Sequence, residues 1–184
     1  MHRAQASVFD VAKKLPAYAG YLVDKEVATL SSVKDDPQHP YVVVLGGSKV
    51  SDKLGVIEAL AEKADKIIIG GGMCYTFLAA QGHNVQKSLL QDDMVDTCKE
   101  LIERFGDKLL LPVDVAAGAE FDKDTEKKIV GLDEIPEGWM GLDIGPDTAK
   151  NYAEAVKDSK TVFWNGPMGV FEFPNFADGT KAVA

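Results

Sequence analysis

Arginine is scarce in this chain. Of the 20 basic residues among 184, only Arg3 and Arg104 are arginines. The guanidinium fork is the side chain best suited to clamp a phosphate or a carboxylate at several points, so these residues cannot build an arginine cluster around an anion. Acidic residues number 29, and the formal net charge is −9. Such a chain binds nucleic acids and anionic membranes poorly, and any anionic ligand must be held by a local site.

Cysteines, histidines and long apolar runs are also too few to define a function. Cys74 and Cys98 fit no metal-binding spacing, and two reduced thiols are the simpler interpretation. The three histidines lie far apart, and no Ser-His-Asp or Cys-His arrangement is readable. No apolar stretch approaches the roughly 18 residues of a membrane-spanning helix, and the first residues lack the layout of a signal peptide. We therefore expect a cytoplasmic protein that binds neither membranes nor nucleic acid.

The sequence does contain an alternation of apolar runs and helical segments, with enough apolar residues (46%) for the core of one domain. Continuous apolar runs predict four buried strands, at 41–45, 67–69, 109–113 and 161–164. Helical spacing predicts helices at 17–34, 51–63, 73–81, 88–105 and 147–157, and the start of one more in the last nine residues. A hairpin or excursion is expected at 121–131 and an ordered loop at 134–146. This alternation indicates an α/β protein with a parallel sheet and crossover helices.

Three of the four predicted strands end directly in loops that contain glycine. Parallel α/β sheets bind ligands beyond the carboxyl ends of their strands. The first loop, 46–53, carries two glycines, Lys49 and Lys53, and leads into a predicted helix with free N–H groups at its start. A polyphosphate would suit this loop, but a tight turn with two solvated lysines explains it equally well, and it is not a P-loop. Asp52 would either contact Mg²⁺ or favour the start of the helix.

The remaining glycine-bearing segments leave alternatives open in the same way. Glycines 70–72 would let a flat base lie against bare backbone, or they form a plain turn. Asn165 stands at the end of the fourth strand as a neutral donor and acceptor. Glu172 would accept hydrogen bonds from both hydroxyls of a ribose, or it is a surface carboxylate. For the apolar run 139–143, core packing is the ordinary explanation.

Together, these segments resemble the phosphoglycerate kinase family. The matching runs occur in the family's order and spacing: LGGSKVSDK at 45–53, IGGGM at 69–73, LPVD at 111–114, GWMGLD at 138–143 with GP at 145–146, and WNGPMGVFE at 164–172. The resemblance implies a Rossmann-like nucleotide-binding lobe, built as a three-layer α/β sandwich with a parallel sheet. It also implies a glycolytic kinase that transfers a phosphoryl group between 1,3-bisphosphoglycerate and ADP, giving 3-phosphoglycerate and MgATP.

The same resemblance implies roles for individual residues. The nucleotide-binding residues would be Gly47, Ser48, Lys49, Lys53, Gly71, Gly72, Gly141, Leu142, Asn165 and Glu172. Lys49 would lie nearest the phosphoryl group in transfer and is the expected catalytic residue. Asp52 would lie near the metal, and Arg3, within the run HRAQAS at 2–7, would bind 3-phosphoglycerate. Two lysines, Mg²⁺ and a helix N-terminus would supply the charge neutralisation that phosphoryl transfer needs.

The resemblance further implies how the chain is organised. Residues 1–40 would be the end of the amino-terminal lobe with the interdomain helix, and 41–184 the nucleotide-binding domain. The family's arginine-rich acid site and its later GGGD[ST] loop do not occur in these residues, so we expect a lobe that is incomplete at both ends and inactive alone. Its ligands would be MgADP or MgATP, with phosphoglycerate bound through the other lobe and a monomer as the full-length form. The alternative is a non-catalytic module that binds adenine nucleotides.

Overall fold

The first of two structural units in this chain is largely helical. The computed structural model describes residues 4–184 and divides them between residues 36 and 37. In the first unit, two short helical turns, Ala6–Asp10 and Val11–Lys13, precede helix α1 at Tyr21–Asp35. The sequence predicts this helix from residue 17, but residues 17–20 form no regular element, Gly20 is extended, and α1 begins immediately after it.

The second unit, Pro37–Ala184, alternates strands with helices as the sequence predicts, except that four strands follow one another between residues 109 and 144. Its strands are β1 (Tyr41–Leu45), β2 (Lys66–Ile69), β3 (Leu109–Leu110), β4 (Asp114–Gly118), β5 (Lys127–Gly131), β6 (Met140–Ile144) and β7 (Thr161–Asn165). Its helices are α2 (Leu54–Ala61), α3 (Cys74–Ala80), α4 (Val95–Phe105), α5 (Pro146–Lys157) and α6 (Asp178–Val183). None of the helices in the described part of the chain is both long and apolar enough to span a membrane.

The main sheet confirms the prediction of a parallel α/β fold. Its four strands lie in the order β3-β2-β1-β7, and every pairing is parallel. Val44 of β1 stands opposite Ile68 of β2 on one side and Trp164 of β7 on the other. The carboxyl ends of these strands therefore lie at one edge of the sheet, and the glycine-bearing loops leave from that edge.

A second, antiparallel sheet in the order β5-β4-β6 corrects two of the predictions. The segment 134–146, expected to be a loop, contains β6, and the strand expected at 109–113 ends at Leu110 and is followed by β4. Glycines and alanines disguise both strands, because these residues have low strand propensity and read as turn signals. Of the hairpin or excursion expected at 121–131, the second strand of a hairpin is found there: β5 pairs in antiparallel register with β4, which begins earlier than expected, at Asp114.

The core lies on both faces of the main sheet. All five residues of β1 are at most 1% exposed, as expected for a strand covered on two sides. Val42 and Val44 pack in a cluster with Tyr152 of α5 and Val183 of α6. The single proton of the Tyr152 hydroxyl is shared between the carbonyl oxygens of Ile69 at 2.8 Å and Leu110 at 3.1 Å, which ties α5 to the ends of two strands.

The two cysteines are buried and not joined in a disulfide. Burial raises the pKa of the Cys98 thiol to about 12, and the pKa of the Cys74 thiol is raised even further. Thiols that remain protonated are poor nucleophiles and poor metal ligands. Both side chains therefore behave as small core residues.

Candidate functional site

Three loops meet at the carboxyl edge of the main sheet: 46–53 after β1, 70–73 after β2, and 165–172 after β7. Four backbone hydrogen bonds of 2.8 to 3.2 Å join them: Gly46 N to Asn165 O, Gly47 N to Pro167 O, Gly71 N to Met168 O, and Met73 N to Gly47 O. The backbone amides and carbonyls of the loops thus satisfy one another. The edge of the sheet is a single built surface rather than three separate turns.

Two of the glycines are required by this close approach of backbones. A Cβ on Gly46 would overlap the carbonyl oxygen of Pro167 and would lie 2.8 Å from the carbonyl oxygen of Gly166. Gly71 has φ +66°, and a Cβ there would lie 2.5 Å from the nitrogen of Gly47. Because the obstacles are backbone atoms, no side-chain rearrangement would relieve the overlap. These glycines allow the three loops to pack directly on one another.

A cavity of about 510 Å³ opens beside the three loops. It is lined by Gly47, Ser48, Gly71, Gly72, Tyr75, Lys87, Leu89, Phe121, Met140, Gly141, Leu142, Pro167, Met168, Gly169, Val170 and Glu172. The structure thereby brings seven of the expected nucleotide-binding residues together: Gly47, Ser48, Gly71, Gly72, Gly141, Leu142 and Glu172. Most of the lining is apolar side chain or bare glycine backbone, while Glu172 and Lys87 are charged. This composition suits a flat apolar ring with a polar appendage.

Gly141 and Tyr75 together form one wall of the cavity, and the Tyr75 ring packs directly against the backbone of Gly141. A Cβ on Gly141 would overlap the Tyr75 hydroxyl, and the amide of Gly141 donates to the Ser88 hydroxyl at 2.9 Å. Tyr75 is 2% exposed, and burial raises the pKa of its hydroxyl well above the usual value. The Tyr75 hydroxyl is therefore neutral at neutral pH.

The polar residues at the 46–53 end of the site are partly joined to one another. The Lys53 ammonium group donates to the Asn165 side-chain oxygen at 2.5 Å, which links the first and third loops. Lys49 and Asp52 are exposed in the first loop but lie outside the lining of the cavity. The expected helix from Ser51 is wrong at its start. Residues 51–53 form a turn and α2 begins at Leu54, so Lys49 and Lys53 do not share a helical turn.

Sequence reasoning assigned no role to the other nine residues that line the cavity, and four of these, Tyr75, Lys87, Leu89 and Phe121, lie outside all of the motif runs. Tyr75 had a usable signal, because it lies in the first turn of the helix that follows the second glycine loop. The other three lie outside regular elements: Leu89 in a segment predicted as the start of a helix, Lys87 just before it, and Phe121 between β4 and β5. Their approach to the cavity depends on chain crossings that no local pattern encodes.

Asp143 follows the cavity-lining residue Leu142 in β6 and is 2% exposed. Its carboxylate accepts hydrogen bonds from the amides of Ile144 at 2.9 Å and Gly179 at 2.8 Å. A Cβ on Gly169 would overlap this carboxylate, so the third loop also packs on it. Burial raises the pKa of Asp143 to about 6, although the two amides and the charge of Lys127 lower it. The carboxylate thus joins the third loop, β6 and α6.

Arg3 and Asp52 are the residues expected to bind 3-phosphoglycerate and the metal ion. Arg3, expected to bind 3-phosphoglycerate, lies outside the described residues. Among residues 4–184, no group of three or more His, Cys, Asp or Glu side chains could hold a metal ion. Asp52 is thus a single exposed carboxylate near the lysines of the first loop. One carboxylate is compatible with Mg²⁺ where phosphate oxygens and waters supply the other ligands.

Comparison with known proteins identifies the family. A profile of the family described as phosphoglycerate kinase matches residues 1–184. The chain belongs to the phosphoglycerate kinase family. It is 70% identical to the phosphoglycerate kinase of Corynebacterium aurimucosum and 66% identical to that of Corynebacterium glutamicum, in each case over the whole chain and 45% of the relative.

Solved structures of the family support the same assignment. The phosphoglycerate kinase of Coxiella burnetii is 41% identical and superposes with a TM-score of 0.89 over 99% of this chain and 48% of that one. The enzyme of Pyrococcus horikoshii is 30% identical, with a TM-score of 0.82 over 99% of this chain and 47% of that one. The family resemblance and the α/β fold class are thereby confirmed. The chain spans slightly less than half the length of these phosphoglycerate kinases.

Proposed function

We propose that residues 41–184 supply the MgADP- and MgATP-binding part of a phosphoglycerate kinase. In that reaction a phosphoryl group passes between 1,3-bisphosphoglycerate and ADP, giving 3-phosphoglycerate and ATP. One observation carries the proposal: three glycine loops meet at the carboxyl edge of a parallel sheet beside a largely apolar cavity that Glu172 lines, and the first of these loops carries Lys49 and Lys53 just outside that lining. Parallel sheets bind nucleotides at this edge.

The base and the ribose are assigned to the cavity itself. Gly71, Gly72, Gly141 and Leu142 border it, and the apolar lining of the cavity suits a flat ring. We assign the adenine to this space. Glu172 is exposed yet lines the same cavity, and its carboxylate can accept hydrogen bonds from both ribose hydroxyls.

The phosphates are assigned to the loop end of the site. Gly47 and Ser48 line the cavity where it meets the first loop, and Lys53 and Asn165 lie beside them as a hydrogen-bonded pair. Lys49, exposed in the same loop, is assigned to the phosphoryl group in transfer and is the catalytic residue of the proposal. Ammonium groups held in place stabilise the charge that spreads over the transferred group, which is most of what the protein contributes to phosphoryl transfer.

The metal assignment follows from the donor set. Because the described residues offer no cluster of three ligands, Asp52 would contribute one carboxylate and the nucleotide phosphates would contribute the rest. When bound, Mg²⁺ neutralises phosphate charge during transfer. The protein would place Lys49 and Lys53 next to the phosphate oxygens that the metal does not contact.

The phosphoglycerate partner is assigned to Arg3 and to the part of the family's length that this chain does not cover. Residues 1–40 would then be the end of the amino-terminal lobe with the interdomain helix, and we propose that the full-length protein is a cytoplasmic monomer. The second arginine, Arg104, bonds Glu62 and lies outside the lining of the cavity. An arginine-rich acid site therefore cannot come from residues 4–184.

Calorimetric titration of the 184-residue chain with MgADP tests the binding half of the proposal. We expect binding, and we expect Lys53→Ala to weaken it by about tenfold or more, as loss of a charge-assisted contact would. Lys99→Ala is the matched control, because Lys99 is an exposed lysine of α4 outside the cavity lining. The absence of MgADP binding by the unmodified chain would refute the proposal.

A chimeric enzyme tests the catalytic half. The matching segment of the Corynebacterium aurimucosum phosphoglycerate kinase is replaced by this chain, and ATP formation from 1,3-bisphosphoglycerate is assayed. We expect activity, with at least a hundredfold lower kcat in Lys49→Ala and little change in MgADP affinity. A chimera that binds MgADP but forms no ATP would instead support a non-catalytic nucleotide-binding module.

A further inference from the structure

The segment 87–91 connects the two ends of the proposed nucleotide site. At the cavity end, its backbone and side chains contact the wall formed by β6 and the second loop: Lys87 N donates to Trp139 O at 2.9 Å, Ser88 Oγ accepts from Gly141 N at 2.9 Å, and Leu89 packs against Gly72. Two residues further on, Gln91 reaches the first loop. No local sequence motif marks this segment.

Gln91 holds the first loop by a pair of hydrogen bonds. The backbone amide of Ser51 donates to Gln91 Oε1 at 3.2 Å, and Gln91 Nε2 donates to Ser51 Oγ at 3.0 Å. The Gln91 backbone amide in turn donates to Thr76 Oγ1 at 3.2 Å, which anchors it to α3. A carboxamide carries a donor and an acceptor side by side, and both are used here.

This contact acts where the first loop would otherwise have least support. At its start, the loop is fixed by the hydrogen bonds of Gly46 and Gly47 to the third loop. At its far end, Val50 is buried and Lys53 N donates to Val50 O at 2.9 Å, but residues 51 and 52 are exposed. Gln91 bonds Ser51, between the two lysines. It therefore restricts the turn that determines where Lys53 stands.

We propose that Gln91 is a positioning residue for the phosphate side of the nucleotide site, and that segment 87–91 couples the adenine wall to the phosphate-binding loop. This inference rests on the proposed function of the cavity. Gln91 does not line the cavity, so it acts through Ser51 and the turn at 51–53. Its removal costs affinity for the phosphates and leaves affinity for the base unchanged.

The test compares the dissociation constants of adenosine and MgADP for the unmodified chain, Gln91→Ala and Ser51→Ala. We expect Gln91→Ala to weaken MgADP binding by about threefold to tenfold, as for loss of one or two ordinary hydrogen bonds, and to change adenosine binding by less than twofold. Ser51→Ala removes the Oγ half of the contact, and we expect the double variant to lose no more than Gln91→Ala alone. Gln81→Ala, an exposed glutamine after α3, is the control.

The other possible results contradict either the positioning role of Gln91 or the proposed function of the cavity. Unchanged MgADP affinity in Gln91→Ala and Ser51→Ala would overturn the positioning role, and so would an equal loss for both ligands, because a general loss of structure affects the base as well. If Gln91→Ala does not fold, Ser51→Ala still decides the question, since it leaves the bond between Gln91 and Thr76 in place. An unmodified chain that binds neither ligand would refute the proposed function itself, and this inference with it.

Discussion

The buried carboxylate of Asp143 makes the stability of this chain depend on pH in a direction opposite to that of a salt-bridged aspartate. Asp143 is 2% exposed, and its neighbours have mixed effects: the amides of Ile144 and Gly179 and the charge of Lys127 favour ionisation, while Asp178 opposes it. Burial outweighs the favourable contacts and raises the pKa from 3.8 to about 6. In the folded protein, the carboxyl therefore retains its proton to a higher pH than in the unfolded chain.

The sign of the effect follows directly. Between pH 3.8 and about 6 the unfolded chain releases this proton first, so the free energy of unfolding falls as the pH rises. The difference between the two pKa values lowers the free energy of unfolding by about 3 kcal/mol in all. About half of this loss occurs between pH 5 and pH 7.5. Below pH 3.8 Asp143 does not lower the free energy of unfolding, and well above pH 6 the loss has reached its full size.

Urea unfolding of the unmodified chain and of Asp143→Asn at pH 5, 6 and 7.5 measures this contribution. The asparagine cannot titrate, so the difference in unfolding free energy between the two proteins should shift by about 1 to 2 kcal/mol against the unmodified chain as the pH rises. Asp124→Asn removes an exposed carboxylate and controls for the change in net charge. A difference that stays constant with pH, or that moves in favour of the unmodified chain, would refute this account of Asp143.

Two glycine substitutions should change stability in opposite directions. Gly46→Ala places a Cβ against the carbonyl oxygens of Pro167 and Gly166, so we expect it to lower the free energy of unfolding by several kcal/mol and to abolish MgADP binding. Gly55→Ala lies in α2 with open space around the added Cβ, and we expect it to raise the unfolding free energy by about 0.5 to 1 kcal/mol with MgADP affinity unchanged. Thermal unfolding and calorimetry check both, and a well-folded Gly46→Ala variant that binds MgADP would contradict the proposed packing of the loops.

The main sheet could be predicted because its central strands, β1 and β2, are buried on both faces, although the edge strand β7, also expected to be buried, is only partly so. Tyr41–Leu45 is uninterrupted apolar sequence, and no helix of that composition would be so short and so bounded by loop residues. The second sheet could not be predicted in the same way. Met140–Ile144 contains Gly141, which is needed there because Tyr75 occupies the space of a side chain. This contact comes from a residue 66 positions earlier, and a single sequence gives no sign of it.

In the candidate site, too, local patterns could be predicted and contacts between distant residues could not. The glycine loops are local patterns, and the expectation that they meet follows from the parallel sheet, because its strands all end at one edge. The turn at 51–53 is hydrogen-bonded to Gln91, 40 residues away from Ser51, and no local pattern shows such a contact, so the prediction of a helix that begins at Ser51 is wrong. Lys87, Leu89 and Phe121 enter the cavity from connecting segments, whose course depends on tertiary packing rather than on periodicity.

A crystal structure of the chain grown with MgADP tests the central claim most directly. We expect the adenine between Gly71 and Gly141, the ribose hydroxyls within hydrogen-bonding distance of Glu172, and the phosphates beside Lys53 and the first loop. A nucleotide bound elsewhere on the protein, or in this cavity with its phosphates directed away from Lys49 and Lys53, would contradict the claim that these loops form the nucleotide site.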